Sequence, residues 1–407
     1  MPQYDIIIFG ATSFVGQITA RYLFEHLGNS SEVRWAIAGR SASKLAQLKE
    51  AINAPNLDTL IADAADEQQL KTLCESTKVV VSTVGPYALF GELLVKTCVT
   101  SGTDYCDLTG EVQWIAKMLS RYEQIAKITG ARIVNCCGFD SIPSDMGVYF
   151  LQQQAKLQFA KTCESVHMRV AKMKGAASGG TVASMTNIFK EVASDKQLRK
   201  VLSNPYAICP EDYAYKVRQN SLQRPQYDPL FTAWTAPFIM AGINTRIVLR
   251  TNTLLNEPYS QQFTYDEAML TGQGLLGGSK AYGIGAGLAG FAMAAMLPPT
   301  RWLMESTILP KPGDGPSLQQ QQQGHYDLRF IGITASGEKI TTKVTGDQDP
   351  GYGSTAKILS QAALCLALDI SKKDKSGGFW TPASIFAEHL LTRLQQHAGL
   401  TFEVIDD

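Results

Sequence analysis

Two glycines six positions apart, Gly10 and Gly16, follow the apolar run Tyr4 to Phe9 and precede an apolar-periodic segment from Phe14 to Leu27. A strand, a tight turn and a helix in that order leave first-turn N–H groups without intrahelical partners. With the helix dipole they form a seat for a pyrophosphate. Gly10 allows the turn, and Gly16 lets helix and strand pack closely. The strict G-x-G-x-x-G spacing is not met, because Thr12 and Val15 stand at its later glycine places. Ser13 takes the glycine place of the longer spacing. Its hydroxyl offers a donor to a phosphate oxygen, while its Cβ limits the approach of the backbone. Gly10, Thr12, Ser13, Phe14, Val15 and Gly16 are the expected phosphate loop.

The next strand, Val33 to Gly39, ends at Arg40-Ser41. An acidic residue there would grip the ribose 2′-hydroxyl of NAD. Arg40, with Ser41 and Lys44 beside it, instead suits the 2′-phosphate of NADP through charge-assisted hydrogen bonds. The competing reading is a solvated Arg and a Ser that caps the following helix. Asp63 closes the third strand, either near the adenine side of the dinucleotide or as an N-cap. Thr83, Gly85, Pro86 and Tyr87 end the fourth strand and face the same crevice, since ligands of such sheets lie beyond the carboxyl ends of the strands. Tyr87 is there a wall or a proton donor. After the sixth strand, Gly138 to Asp145 gathers two carboxylates, two hydroxyls and a proline. Asp140 and Ser141 join Tyr87 as candidate catalytic residues, and Ser144 reads equally as an N-cap.

These residues need a scaffold of alternating strands and helices. Strand patterns at Leu57–Asp63, Val79–Gly85, Asp104–Glu111 and Arg132–Cys137, separated by helix-length segments, imply right-handed crossovers and a parallel sheet. The expected class is α/β, a Rossmann-type doubly wound parallel sheet of six strands, with a second α+β domain containing an antiparallel sheet. Residues 1–140 form the first domain, completed by C-terminal helices within 350–407, and 141–349 form the second.

In the second domain, Ser165–Ala171 alternates as a half-solvated strand carrying His167, and Gly179-Gly180-Thr181 opens a helix to about Ser203. His325–Ile333 and Lys339–Thr345, joined by a glycine turn, read as an antiparallel hairpin. The Gly-, Ala- and Met-rich segment 281–300 carries no charge. Its glycines lower helix propensity and hydrophobicity, so it is expected to line a substrate tunnel or an interface, with peripheral membrane contact as the second reading and a true membrane span as the third. The run Gln319–Gln323 is expected as a surface loop. Gly351–Thr355 opens a helix and borders the crevice or only caps it.

Of the 407 residues, Lys+Arg and Asp+Glu number 37 each, which gives no net field to attract nucleic acid. None of the eight cysteines forms a metal-ligand spacing, so no metal is expected. No signal peptide precedes the first strand. The expected location is cytoplasmic, with reduced thiols and a membrane-associated fraction through 281–300, and a homodimer is an open expectation.

Together Gly10–Gly16, Ala38-Gly39-Arg40, Val84–Tyr87, Asp104–Glu111, Gly138–Asp145, Ser178–Thr181 and Gly351–Lys357 resemble the saccharopine dehydrogenase-like oxidoreductases, and among them the trans-acting enoyl reductases. Ser13 departs from the glycine usual in that loop. The resemblance implies an NADP-binding domain and a middle substrate domain. It points to an NADPH-dependent reductase of an activated double bond in an apolar lipid or polyketide-type substrate, possible in carrier-linked form. A saccharopine-type amino-acid dehydrogenase and a non-catalytic NADP-binding scaffold are the alternatives.

Overall fold

The computed structural model describes residues 2–28, 32–175, 179–255, 259–307 and 315–405, so Ser178 of the Ser178–Thr181 motif lies outside it. The first part runs β1 (Tyr4–Phe9), α1 (Phe14–Leu27), β2 (Trp35–Gly39), α2 (Ala42–Ala51), β3 (Asp58–Ile61), α3 (Glu67–Glu75), β4 (Thr77–Ser82), α4 (Tyr87–Phe90), α5 (Glu92–Ser101), β5 (Asp104–Asp107), α6 (Val112–Thr129) and β6 (Arg132–Val134). Then follow α7 (Ile142–Phe159), β7 (Cys163–Lys174), α8 (Gly179–Ser194), α9 (Lys196–Ser203), β8 (Gln226–Asp228), β9 (Ala233–Pro237), α10 (Ala241–Leu254), β10 (Thr264–Gly272), α11 (Gly274–Met296), α12 (Pro298–Thr307), α13 (Leu318–Gln322), β11 (His325–Thr334) and β12 (Lys339–Gly346). The chain returns through a wide turn at Pro350–Ser354 into α14 (Thr355–Leu364), β13 (Gly378–Trp380), α15 (Pro382–His397) and β14 (Leu400–Val404).

The first sheet is parallel, in the order β13-β6-β5-β4-β1-β2-β3. This is the doubly wound order, with its reversal between β1 and β4. The apolar run Ile6–Phe9 of β1 is explained by burial on both faces. Ile6 and Ile8 enter one core cluster with Met146 of α7 and Phe330 of β11, whereas Ile7 and Phe9 enter another with Leu94 and Val95 of α5. A seventh strand, β13, was not anticipated. It is short, and only its pairing with β6 reveals it.

The second sheet has the order β14-β12-β11-β7-β10-β9-β8 and is mixed, because β10 runs parallel to β7 while its other pairs are antiparallel. The expected antiparallel hairpin forms, with Ile333 opposite Lys339 and Gly337 at φ +91° in its turn. The C-terminal section is more than helices over the first sheet, since β13 extends that sheet and β14 pairs with β12. Arg132 fastens the return. Its guanidinium is paired with Asp104 and donates to the carbonyls of Leu366 (3.0 Å) and Ile370 (2.7 Å), so a charge buried in the sheet has its hydrogen bonds satisfied.

Three local expectations are corrected. The helix opening at Gly179 breaks at Asp195 into α8 and α9. The glutamine run forms α13 rather than a loop, capped by Ser317 and anchored by buried Gln321 on the Pro316 carbonyl at 2.9 Å. Finally, Asp66 rather than Asp63 caps α3, accepting from the N–H groups of Gln68 and Gln69 at 3.0 Å. All eight cysteines are free thiols, seven of them buried.

Candidate functional site

A cleft of about 1460 Å³ opens at the carboxyl ends of the first sheet. Single drug-sized ligands occupy roughly 300–1,000 Å³, so the space accommodates a dinucleotide together with a second molecule. At its base lies the glycine loop. Gly10 has φ +84°, and a Cβ there would lie 2.5 Å from Val84 Cγ2. A Cβ on Gly16 would lie 2.4 Å from the Gly10 carbonyl oxygen. Both positions therefore require glycine.

Ser13 has a different task from the one expected. Its Oγ accepts the Gly16 N–H at 3.0 Å as the N-cap of α1 and donates to Thr83 Oγ1 at 3.1 Å. Thr83 Oγ1 in turn donates to the Gly10 carbonyl at 2.9 Å. This relay locks the loop onto the end of β4 and engages both hydroxyls internally. What the loop presents to the cleft is Gly10, Thr12, Ser13, Phe14 and Val15, with the N–H groups of Phe14 and Val15 lacking intrahelical acceptors by helix geometry. Gly16 and Pro86 stand behind the lining, as close-packing and helix-entry residues. The Phe14 ring meets Tyr352 edge-on at 5.1 Å, and Pro350, Gly351, Tyr352 and Thr355 border the cleft, so the C-terminal turn closes over the loop.

At the far end of β2, Arg40, Ser41 and Lys44 line the cleft, with Asp63 across from them. Ser41 also caps α2, accepting the Lys44 N–H at 3.4 Å. The N-cap reading of Ser41 therefore holds, and the residue also lines the cleft. The Arg40 and Lys44 side chains are exposed, and neither engages a partner among the described residues. Asp63 turns back on its own chain, its Oδ1 accepting from Ala65 N–H at 2.9 Å.

The three catalytic candidates separate. Tyr87 lines the cleft, but its hydroxyl donates to the Ser82 carbonyl at 2.9 Å, and burial raises its pKa well above 10. Its hydroxyl is thus engaged by the backbone while the residue lines the cleft. Ser141 is wholly buried and outside the lining, its Oγ donating to Asn244 Oδ1 of α10 at 3.0 Å. The reason is local: α7 begins at Ile142, which turns residue 141 into the core. Ser144 is likewise buried on Asn244, at 3.1 Å, and is no cap. Asp140 alone of the three reaches the cleft with a titratable group. Burial first, and then the charge of Asp107, pushes its carboxyl up to about 7.

Glu111, to which the sequence assigned no role, also lines the cleft. Its carboxylate accepts from the N–H groups of Tyr87 (2.9 Å) and Ala88 (2.8 Å) at the start of α4 and from Ser184 Oγ of α8 (3.1 Å). It satisfies orphan donors of one helix while tethering a second. No sequence signal marks this, because the partners lie 23 to 73 positions away.

The lining also has an apolar share, Leu89, Phe90 and Leu93 from α4 and α5 and Met185, Ile188, Phe189, Ile239, Met240 and Ile243 from α8 and the start of α10, together with the polar Glu92, Lys96, Gln113 and Tyr122. Arg246 is also in the lining, yet its guanidinium donates to the carbonyls of Asn204, Gly242 and Leu202. No residue of 281–300 lines the cleft. That segment lies in α11 and α12, behind α8, which corrects the expectation of a tunnel wall.

Residues 6–134 match the saccharopine dehydrogenase NADP-binding domain model. A trans-acting enoyl reductase from Mycobacterium tuberculosis is 35% identical over 405 aligned residues, 96% of each chain. A second, from Mycobacterium ulcerans, is 33% identical over 97% of this chain and 96% of its own. Among solved structures, apo saccharopine dehydrogenase from Saccharomyces cerevisiae superposes with a TM-score of 0.52 at 13% identity, covering 98% of this chain and 99% of its own. Homospermidine synthase from Legionella pneumophila, in complex with NAD, does so with a TM-score of 0.53 at 10% identity, covering 99% and 91%. Those two likenesses concern the fold.

Proposed function

Because the chain belongs to the saccharopine dehydrogenase-like family, among its trans-acting enoyl reductases, and is an NADP oxidoreductase, we propose that it reduces the activated double bond of a lipid or polyketide-type enoyl substrate delivered on a carrier. The observation that carries this reading is the make-up of the cleft. Its lining combines the glycine loop, the unpaired cations Arg40 and Lys44, the Asp140 carboxyl and a set of apolar side chains from α4, α5, α8 and the start of α10.

The residues fit the dinucleotide. The loop excludes side chains at Gly10 and Gly16, and no carboxylate closes β2, where Arg40 is free to take a 2′-phosphate. The N–H groups of Phe14 and Val15 would hold the pyrophosphate, and Arg40, Ser41 and Lys44 the 2′-phosphate. When bound, NADPH would supply the hydride for the β-carbon of the enoyl group, and the substrate α-carbon then needs a proton. In this reading Asp140 gives it. With its pKa near 7, a substantial fraction is protonated at neutral pH, the condition under which an acid catalyst works best. The carboxylate left behind regains its proton from solvent. The apolar walls hold the acyl chain and exclude water, which strengthens polar interactions at the reacting carbons.

A saccharopine-type reaction on an amino-dicarboxylate needs free cations at the substrate end. Arg246 is consumed by backbone carbonyls, and Lys96 is paired with Glu67 at 2.8 Å. A scaffold that only binds NADP has no use for an acid held near neutrality in the cleft. The test is NADPH oxidation with enoyl thioesters of increasing chain length, alongside saccharopine with NADP. Each added methylene buried is worth about 0.8 kcal/mol, so kcat/KM should rise about fourfold per carbon until the walls are filled. Robust turnover of saccharopine with none of the thioesters would overturn the reading.

A further inference from the structure

From Ala268 to Met304 the chain carries no Asp or Glu, and its only charges are Lys280 and Arg301. This stretch contains α11 and most of α12, which meet at 110° around Leu297. One face of α11 is occupied: Gly278 lies against the Trp234 indole, Ala281 and Ala295 are buried, and Phe291 meets Phe189 of α8 edge-on at 6.1 Å. The opposite face is not. There Leu276 is 77% exposed and Met293 62%, and past the bend Leu297 is 57%, Trp302 69% and Leu303 50% exposed.

Soluble monomers rarely leave contiguous apolar patches larger than a few hundred Å² uncovered. Among the described residues no single helix is long and apolar enough to cross a bilayer, while the bent pair meets that measure only jointly. A sharply bent apolar pair with its polar backbone satisfied in helices suits a position in the plane of an interface rather than across it. Arg301 is adjacent to Trp302, and Lys280 lies two residues from Tyr282, which is 59% exposed. Aromatic rings beside cations are the composition found at headgroup level, and the two cations of α11 and α12 outnumber their one carboxylate, Glu305.

We propose that the outward face of α11 and α12 docks the protein on an anionic lipid surface. Charge decides against a second copy as the occupant. A two-fold contact through this face would bring Lys280 and Arg301 of both chains together, with Glu305 the one carboxylate of each α11–α12 pair to offset them. The proposal does not rest on the enoyl reading, but it is adjacent to it. Through the Phe291–Phe189 contact α11 backs α8, whose Met185, Ile188 and Phe189 line the cleft. The lipid surface and the apolar wall are then two sides of one helix layer.

Flotation of the full chain with vesicles of phosphatidylcholine alone, and of phosphatidylcholine mixed with phosphatidylglycerol, tests it. The mixed vesicles should bind more tightly by about fivefold per basic residue, or about thirtyfold for the two, and the preference should shrink in high salt. Trp302→Glu with Leu303→Glu should abolish binding while NADPH affinity stays unchanged, which shows that the variant is folded. Lys280→Gln with Arg301→Gln should remove the anionic preference alone. Wild-type protein that ignores both vesicles, or a double-glutamate variant that floats as well as wild type, overturns the proposal. So does a vesicle-free dimer that the glutamates dissociate, since the face is then a subunit interface.

Discussion

Arg40 gives the most discriminating test of the cofactor site. The residue ends β2, lines the cleft and has no partner among the described residues, so Arg40→Ala deletes a ligand contact without breaking an ion pair of the fold. A hydrogen bond to a charged group is worth about 1.5–3 kcal/mol, while fully exposed ion pairs are worth about 0–1 kcal/mol. The side chain is exposed in the free protein, and one or two of its bonds would meet a phosphate carrying more charge than a carboxylate. A loss of about 1.5–2 kcal/mol is therefore expected, roughly ten- to thirtyfold in NADPH affinity. NADH lacks the 2′-phosphate, so its affinity should stay within about twofold of wild type. Fluorescence titration of both proteins with both cofactors measures all four constants. Raising salt from about 0.1 to about 1 M shortens the screening length from roughly 10 to 3 Å and should narrow the gap between wild type and variant for NADPH only. A substitution that weakened both cofactors alike would refute the reasoning, because Arg40 would then support the loop rather than read the phosphate.

Asp140→Asn should lower kcat by about 10²- to 10⁴-fold while leaving NADPH affinity in place, as stopped-flow turnover and equilibrium titration will show; equal turnover would remove Asp140 from the reaction. For wild type, the acid form of a carboxyl raised to about 7 exists below that pH, so the chemical rate should fall as pH rises through about 7, and a rate that rises there contradicts the role. Ser13→Ala removes the N-cap of α1 and the contact with Thr83, and urea unfolding should report a loss of about 0.5–2 kcal/mol. Glu111→Gln points an amide at one of the two N–H groups that the carboxylate now accepts, leaving a buried donor unsatisfied; about 1–3 kcal/mol of stability should go, and an unchanged midpoint would argue that water replaces the contact.

The parts of the site within one strand, turn and helix were legible because their constraints are local. Gly10 and Gly16 follow from the sterics of a single turn, and Arg40 from its place at the end of a strand. The expectation for Tyr87 was half right: its position at the crevice follows from the strand end, but the Ser82 carbonyl that occupies its hydroxyl does not. Ser141 was misplaced by one residue of helix phase, since α7 begins at Ile142 and turns the hydroxyl toward Asn244, 103 positions later.

The sequence by itself determined the order and spacing of the doubly wound strands, the phosphate loop and the basic residue beyond β2, all of which depend on neighbours within a few positions. Only the tertiary structure decided that β10 runs parallel to β7, that β13 and β14 return to two different sheets, that Glu111 binds two helices and that Asp140 titrates near 7. Those outcomes depend on burial and on partners brought from tens to hundreds of positions away. A side chain's polarity is written in the sequence, but its desolvation is set by what folds over it.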